Sequence, residues 1–284
     1  MRYSQLRAFH NVALHGGFSR AAAILNQTQP ALSDQVRRLE EAHDTLLFHR
    51  DRRQVRLTKT GEGLFLLTKQ FFEVEDGIGE YLGRSRAAIG GTLRIVADSA
   101  LHVTEAIGRF RKAHPNVFVS LRTGNTEEVL QRLRNYDAEV GVVGNLPPAS
   151  DLETHDLGRT PIIAIAARGL LPHGLKALDF TSLPDWPLVF REAGSRTRAN
   201  LEELAATRRV KLSPVIEVDG REAMREVVAS GAGIGFVSEA EAGHDDRLVH
   251  VPIKGIDLQM VETLVHLSIR RDVPVIRAFM REVQ

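Results

Sequence analysis

Two adjacent stretches near the start of the chain carry apolar side chains at helical spacing. Residues 19–25 are rich in alanine and predict a short helix with Ser19 as its N-cap. A polar run then precedes a second predicted helix over residues 29–40. Thr28 is placed to cap this second helix, and Pro30 falls in its first turn, where a missing N–H group costs nothing. The pattern predicts two short helices joined by a tight turn.

The second of these helices has an apolar face and a polar face. Leu32, Val36 and Leu39 fall on one side at helical spacing. This leaves the following polar side chains for solvent or a ligand: Gln29, Ser33, Gln35, Arg37 and Arg38. A helix that is polar at its start and basic further on suits the major groove of DNA. The alternative on the pattern alone is a surface helix pair in an ordinary bundle.

A third helical stretch runs without proline from residue 58 to about residue 88. Its apolar positions are spaced three and four residues apart, as in the seam of a coiled coil: Leu64, Leu67, Phe71, Val74, Ile78 and Tyr81. Phe65, Leu66 and Phe72 make the apolar face too wide for a lone exposed helix. The pattern favours pairing with a second copy of the chain, and the alternative is a helix packed on its own domain. Gly90 and Gly91 predict a hinge after it.

From residue 92 the pattern changes to short apolar strands that alternate with helices. The predicted strands are residues 93–97, 117–121, 139–143, 188–190, 215–218 and 233–237. The predicted helices are residues 100–113, 126–135, 196–208 and 222–230. This alternation predicts parallel sheets covered by helices, and therefore an α/β fold. Segments near residues 162–167 and 261–269 are predicted to cross between two lobes.

Charge is unevenly distributed along a chain that is nearly neutral overall. The 284 residues have a formal net charge of +1, yet the first 60 hold ten Lys and Arg against five Asp and Glu. A basic N-terminal part joined to a mildly acidic remainder fits a DNA-binding module attached to a sensor. Cysteine is absent, which excludes disulfides and thiolate metal sites. With no signal-peptide core and no apolar run near the roughly 20 residues that cross a bilayer, we expect a cytoplasmic protein.

Three motifs carry a resemblance to a known family. They are Thr28-Gln29-Pro30-Ala31-Leu32-Ser33, Leu47-Phe48-His49-Arg50 and Leu57-Thr58-Lys59-Thr60-Gly61. In residue type and spacing they resemble the winged helix-turn-helix of the LysR-type bacterial transcriptional regulators. One departure is His43-Asp44-Thr45, where members often carry a turn glycine. The α/β part is similar, less closely, to the periplasmic-binding-protein-like effector domain of the same family.

The resemblance implies a domain plan and a function. The plan is a mainly α winged helix-turn-helix at 1–58, a linker/dimerisation helix and hinge at 59–90, and an α/β effector domain at 91–284, with lobes of roughly 91–161 plus 268–284 and 162–267. The function implied is sequence-specific transcriptional regulation without catalysis. The implied partners are double-stranded DNA with an interrupted inverted repeat, a second copy paired through the linker helix, a homotetramer, RNA polymerase and a small anionic effector. No cofactor and no membrane partner are expected.

The residues expected to contact DNA divide into three groups. Gln29 and Ser33 are predicted to contact base edges, and Pro30 and Ala31 to contact a thymine methyl group. The following residues are predicted to position the DNA backbone: Ser19, Thr28, Gln35, Arg37 and Arg38. The wing is predicted to hold phosphates or to enter the minor groove through Arg50, Arg52 and Arg53.

Ligands of open parallel sheets bind beyond the carboxyl ends of the strands. This rule selects the following residues: Asp98, Ser99, Ala100, Thr123, Asn125, Glu192, Ser195, Arg196 and Thr197. Ser195 to Thr197 begin a helix whose free N–H groups and dipole favour an anion, and ordinary N-capping is the alternative. Asp219 is interpreted either as a cap or as a ligand for an amine.

The identity of the effector is suggested only by a finer resemblance. Residues 3–10 and 33–37 are similar to a branch of the family associated with aminoethylphosphonate catabolism. This implies an aminophosphonate such as 2-aminoethylphosphonate, with its phosphonate at helix N-termini. Its amine would then lie at Glu192, Asp98 or Asp219.

Motifs of enzyme chemistry are missing from the sequence. The chain has no H-E-x-x-H pair, no G-x-x-x-x-G-K-[ST] loop and no G-x-S-x-G elbow. The glycine-rich run 231–236 leads into a strand rather than opening a helix, so it does not predict a dinucleotide site. The alternatives are a small-anion-binding enzyme, which needs an acid–base set, and a solute-binding protein with an accessory helix-turn-helix, which needs a secretion signal.

Overall fold

The chain forms two compact units, one of residues 1–87 and one of residues 88–284. The computed structural model describes three ranges: 1–49, 55–79 and 90–283. Four positions named by the sequence analysis lie outside the described residues: Arg50, Arg52, Arg53 and Tyr81. Within the described ranges, none of the helices has both the length and the apolar character that a membrane crossing requires.

In its described residues the first unit contains four α-helices. They are α1 (Tyr3–His15), α2 (Phe18–Leu25), α3 (Gln29–Ala42) and α4 (Lys59–Gly79). The apolar face of α3 is buried through Leu32, Val36 and Leu39, which confirms the face predicted from their spacing. Phe9 of α1 belongs to the same core, where its ring centroid lies 5.4 Å from that of Phe48. The helices are therefore held by one shared apolar cluster.

The tight turn between α2 and α3 forms as predicted, but α2 begins differently. Asn26 ends α2 in the left-handed region with φ 52°, and the Thr28 hydroxyl caps α3 by accepting a backbone N–H at 3.4 Å. The N-cap prediction for Ser19 is wrong, since it is the second residue of the helix. The helix starts earlier because Phe18 packs against Phe48, with ring centroids 5.7 Å apart.

The two sides of α4 have different surroundings. On one side Phe65 and Phe72 pack around His10 of α1, whose Nδ1 lies 3.0 Å from the Thr68 hydroxyl. Burial here lowers the pKa of His10 to about 4. Four of the predicted seam residues are exposed: Leu67, Phe71, Val74 and Ile78. One side of α4 therefore packs on its own unit, as one of the two hypotheses has it, and pairing of the exposed apolar stripe with a second copy of the chain stays a prediction.

The turn after α3 lacks the glycine that members of the resembled family often carry, and Asp44 occupies a left-handed position there. Its φ is 45°, a region that costs a residue with a Cβ atom about 1 kcal/mol. We expect Asp44→Gly to raise the free energy of unfolding of the first unit by up to about 1 kcal/mol, measured by urea titration of the full chain. Asp44→Ala keeps the Cβ atom and should give no gain. A glycine variant no more stable than wild type would contradict the strain argument.

The second unit is an α/β structure of two lobes. Its strands are β1 (Gly91–Ala97), β2 (Val117–Thr123), β3 (Val140–Gly144), β4 (Leu152–Ala167), β5 (Leu178–Asp179), β6 (Leu188–Arg191), β7 (Pro214–Val218), β8 (Gly235–Ser238), β9 (Leu248–Val251), β10 (Ile253–Lys254) and β11 (Gln259–Leu267). Its helices are α5 (Thr104–Ala113), α6 (Thr126–Arg134), α7 (Arg196–Arg208), α8 (Arg221–Ala229) and α9 (Pro274–Val283). The predicted alternation of strands and helices is confirmed.

Each lobe has its own sheet and core. The first lobe has the strand order β2-β1-β3-β11-β4, in which β1 runs parallel to both of its neighbours. Its core includes Phe110 of α5 and Phe279 of α9, with ring centroids 5.5 Å apart. In the second lobe the end of β4 pairs antiparallel with β8 and β9, and β6 pairs parallel with β7. A parallel bridge from Leu188 to Ile234 joins these two groups of strands.

Two strands run through both lobes, as predicted for the crossing segments. Met260 of β11 belongs to the core of the second lobe, whereas Leu264 belongs to the core of the first. The other crossing strand, β4, starts at Leu152, well before the predicted segment. Between residues 153 and 158 its residues alternate between half-buried and exposed, so no apolar run marks this part as a strand. The crossing strands bring polar residues of both lobes together.

Candidate functional site

The first turn of α3 presents its predicted DNA-contacting residues at the surface. Gln29, Pro30 and Ala31 are exposed, and Ser33 is half-buried one turn later. Ser19 and Thr28 are also exposed, and Gln35 Nε2 donates to Gln27 Oε1 at 3.5 Å. Because the apolar residues of α3 lie beneath, the helix is fixed to its unit while its polar start faces outward. That is the arrangement of a recognition helix.

The two arginines of α3 are paired with acids of the same helix. Arg37 contacts Asp34 at 2.7 Å and Glu41 at 2.8 Å, and Arg38 contacts Asp34 at 2.8 Å. The hydrogen bond from Arg37 lowers the pKa of Asp34. These exposed pairs are weak, so a phosphate oxygen can replace the carboxylates. The spacing of three and four residues could have predicted the pairs, but the sequence analysis missed them.

Glu40 fixes the start of the wing, a role that sequence analysis also missed. Its Oε1 accepts hydrogen bonds from the backbone N–H groups of Leu47 at 2.7 Å and Phe48 at 3.3 Å. Phe48 forms an antiparallel bridge with Leu57, which closes the base of the wing. The carboxylate therefore holds the end of α3 and the wing in one geometry. The arginines that the sequence analysis assigned to the wing, Arg50, Arg52 and Arg53, lie outside the described residues.

A second candidate site lies where the two lobes meet. Arg191, at the end of β6, contacts Asp98 at 2.9 Å and Glu192 at 2.7 Å. Burial opposes the charge on Arg191, but the two carboxylates outweigh it and raise its pKa. Burial likewise opposes ionisation of Glu192. Hydrogen bonds from Arg191 and from the backbone N–H of Gly220 outweigh this effect of burial, so the pKa of Glu192 is lowered. Two predicted effector residues, Asp98 and Glu192, are thus joined by an arginine that sequence analysis did not single out.

A second arginine extends this network across the lobes. Arg221, at the start of α8, lies 3.6 Å from the Asp98 carboxylate and donates to the Asp98 backbone carbonyl at 3.1 Å. Its other contact is Glu241 at 2.8 Å. Two of the three carboxylates proposed for a ligand amine, those of Asp98 and Glu192, are therefore engaged by guanidinium groups.

The start of α7 holds buried polar groups that the structure leaves unpaired. Ser195, the N-cap residue, is 1% exposed. Among the described residues, three atoms there have no hydrogen-bond partner: Ser195 Oγ, Arg196 Nε and Asn200 Nδ2. Thr197, the residue after Arg196, is also buried. Since buried polar atoms are nearly always paired, this turn has unused capacity for a ligand.

The remaining predicted effector residues differ in how exposed they are and in whether they contact the loop before α7. Asn125 Nδ2 lies 3.5 Å from the carbonyl of Ala193, which brings the start of α6 to the loop before α7. Ser99 is buried and Ala100 half-buried after β1, whereas Thr123 and Asp219 are exposed. The interpretation of Asp219 as the cap of α8 is wrong, because Gly220 occupies that position with φ 82°, where a Cβ atom is disfavoured.

A buried histidine and two buried glutamates meet beside this network. His102 Nε2 lies 3.4 Å from Glu241 Oε1 and 3.9 Å from Glu262 Oε1. Burial, reinforced by Glu241, raises the pKa of Glu262 to about 7. Burial opposes protonation of His102, but the two glutamates outweigh it and raise its pKa. No local motif links residues so far apart in the chain, so sequence analysis missed the cluster.

Two family profiles match the chain. "Bacterial regulatory helix-turn-helix protein, lysR family" matches residues 3–62, and "LysR substrate binding domain" matches residues 86–284. The chain belongs to the LysR family. It is therefore a DNA-binding transcriptional regulator with an effector-binding domain, and the prediction of a regulator rather than an enzyme is confirmed.

Known relatives and structures agree with this membership. The RuBisCO operon transcriptional regulator of Acidithiobacillus ferrooxidans is 30% identical to this chain in an alignment 288 residues long, gaps included. The alignment covers 97% of this chain and 91% of that protein. Full-length CbnR complexed with its target DNA covers 100% of this chain and 99% of its own, with a TM-score of 0.67 and 18% identity. The CcmR regulatory domain of Synechocystis PCC6803, in complex with 2-PG, covers 68% of this chain and 95% of its own, with a TM-score of 0.61 and 23% identity. The fold predicted for this LysR-family regulator is confirmed.

Proposed function

We propose that this regulator binds an interrupted inverted repeat as a dimer and responds to a small anion held between the lobes of its effector domain. In this proposal residues 1–58 bind DNA, residues 59–90 pair two chains, and residues 91–284 bind the effector. The single observation that carries the effector proposal is the start of α7, where buried polar atoms of Ser195, Arg196 and Asn200 have no hydrogen-bond partner among the described residues.

An anion suits this turn for two reasons. The free backbone N–H groups and the dipole at the start of a helix attract negative charge. The side chains there add a hydroxyl and a guanidinium N–H, both of which donate hydrogen bonds to an anion. Asn125, which contacts the loop before α7, would bring the first lobe to the same ligand.

The preferred class of effector follows from whether the candidate carboxylates of the site are free to bind an amine. An aminophosphonate would need a carboxylate for its amine, but Asp98 and Glu192 are paired with Arg191, and Asp219 is exposed. We therefore favour an anion whose binding does not depend on an amine. The relative that regulates a RuBisCO operon and the related domain that holds 2-PG support this preference over an aminophosphonate.

Ser195→Ala is expected to remove the stabilisation that the effector provides. In wild type, a ligand at 100 times its dissociation constant adds about 2.7 kcal/mol, so thermal unfolding against a panel of anions that includes 2-PG and 2-aminoethylphosphonate will reveal it. Ser182→Ala, which removes an exposed hydroxyl of the same lobe, is the control. An anion that stabilises wild type and Ser195→Ala equally would refute this location of the site.

The dimer proposal rests on uncovered apolar surface. The exposed stripe of α4 is the first such surface, formed by Leu67, Phe71, Val74 and Ile78. A second lies at the edge strand β2, where Phe118 and Leu121 are exposed beside a groove of about 680 Å³ against α5. Two different apolar surfaces would allow dimers to pair into a homotetramer. We extend the proposal to RNA polymerase as a further partner at the promoter.

Gln29→Ala is expected to relax sequence preference while leaving non-specific DNA binding unchanged. A bidentate amide contact to a base contributes about 1–3 kcal/mol of discrimination, so the variant should bind base-substituted operators almost as well as the natural one in gel-shift competition. Arg37→Ala is the matched control, since loss of a phosphate contact should weaken binding to all sequences and flatten the salt dependence. If Gln29→Ala kept full discrimination, the assignment of base contacts would be wrong.

A further inference from the structure

His102, Glu241 and Glu262 bring three ligand-type side chains together from separate parts of the effector domain. His102 lies in the turn after β1 in the first lobe, Glu241 lies after β8 in the second lobe, and Glu262 lies on the crossing strand β11. One ligand atom from each residue lies within 4.8 Å of the other two. The three residues are called the interlobe triad below.

The carboxylates of the interlobe triad are buried and incompletely paired. Glu241 is 6% exposed and Glu262 is 3% exposed. Across the part of the chain that the structure describes, three atoms of the triad, two of them carboxylate oxygens, have no hydrogen-bond partner: His102 Nε2, Glu241 Oε1 and Glu262 Oε2. Arg221 engages only the other oxygen of Glu241, at 2.8 Å. Ligand atoms of three side chains therefore lie close together in the interior, with hydrogen-bonding capacity that their protein neighbours do not fully use.

The charge around the interlobe triad favours a cation. The connected network contains four carboxyl groups, those of Asp98, Glu192, Glu241 and Glu262, but only two guanidinium groups, those of Arg191 and Arg221. A divalent ion held by the triad would supply positive charge to the carboxyl groups that the two guanidinium groups do not balance.

We propose that the interlobe triad binds one Zn²⁺ ion. Zinc takes imidazole nitrogen and carboxylate oxygen at about 2.0–2.2 Å in a tetrahedral arrangement, which places neighbouring ligand atoms about 3.4 Å apart. The His102 Nε2 to Glu241 Oε1 distance is 3.4 Å, and the distance from His102 Nε2 to Glu262 Oε1 is 3.9 Å. Three protein ligands leave a fourth position open for water or an anionic oxygen.

Metal binding here would join the two lobes. The ligands come from both lobes and from a strand they share, so the ion fixes their separation where Arg191 and Arg221 already form ion pairs across it. This proposal does not depend on the anion site at α7, because none of its ligands belongs to that turn.

The test is equilibrium dialysis of the full chain, freed of metal by a chelator, against Zn²⁺, with the bound metal measured. We expect one Zn²⁺ per chain in wild type. His102→Gln and Glu262→Gln should each weaken that binding at least tenfold, since each removes a ligand while retaining most of the side-chain volume. Zn²⁺ should also raise the unfolding temperature of wild type but not that of Glu262→Gln.

Two histidine variants are matched controls. His244 is exposed and lies 3.4 Å from Asp246, so His244→Gln tests for adventitious surface binding. His266 is buried and lies 3.7 Å from the partly exposed Glu153, so His266→Gln tests for the loss of a buried histidine that is paired with a glutamate outside the triad. Both should keep the stoichiometric site. Absence of bound Zn²⁺ in wild type, loss of binding in His244→Gln, or wild-type affinity in Glu262→Gln would each overturn the proposal. Circular dichroism will show whether each variant folds. If His102→Gln does not fold, Zn²⁺ binding by Glu262→Gln alone tests the proposal.

Discussion

Gly61→Ala is expected to destabilise the first unit by about 3 kcal/mol, the upper range for inserting a side chain into a filled space. Gly61 is buried in the first turn of α4, and a Cβ atom there would collide with the backbone carbonyl oxygen of Leu47. That oxygen accepts the N–H of Thr58 at 3.0 Å at the base of the wing. The backbone at Leu47 cannot move aside without losing this bond. Because the clash is with backbone atoms, a change of side-chain rotamer cannot relieve it.

Gly63→Ala provides a control in the same helix turn. A Cβ atom at Gly63 meets nothing within 4 Å, so alanine there should stabilise the helix by up to about 1 kcal/mol through its higher propensity. Urea unfolding of the full chain with both variants measures the two changes. The prediction requires opposite signs. If both alanines raise the free energy of unfolding, the close approach of α4 to Leu47 does not exist.

Most features of the N-terminal unit could be predicted from the sequence because they are local. Its features depend on neighbours a few residues away: the Thr28 cap, the α3 face of Leu32, Val36 and Leu39, and the start of α4 after Thr58. Helical periodicity and capping preferences encode such relations directly. Ser19 failed because a contact with a distant residue, Phe18 with Phe48, decided where the helix begins.

The candidate sites of the effector domain were predictable only in part. The rule for strand ends found Asp98, Glu192 and Ser195, because topology alone places such residues at one edge of the sheet. It did not find Arg191, because the rule selects residues that follow a strand and Arg191 is itself the last residue of β6. It also did not find the interlobe triad, whose members come from distant parts of the chain. Pairings between residues far apart in sequence have no local periodicity to reveal them.

Arg191→Met is expected to destabilise the effector domain by about 3–5 kcal/mol, because it leaves two buried carboxylates without their shared partner. The Arg191 side chain is 7% exposed, and those of Asp98 and Glu192 are 4% and 16% exposed. Arg221 lies 3.6 Å from Asp98 and can compensate only one of the two charges. The unpaired carboxylate must then become protonated, draw in water or separate the lobes.

A double variant tests whether the uncompensated charge is the cause. Asp98→Asn combined with Arg191→Met should be more stable than Arg191→Met alone, because the amide removes one buried charge. Arg134→Met removes an exposed arginine that contacts Asp151 at 2.8 Å in the same domain, and it should change stability little because solvent already screens that pair. Urea unfolding of the three variants measures these differences. A loss in Arg191→Met no larger than that in Arg134→Met would mean that the pairs between the lobes contribute little, and that other contacts hold the lobes together.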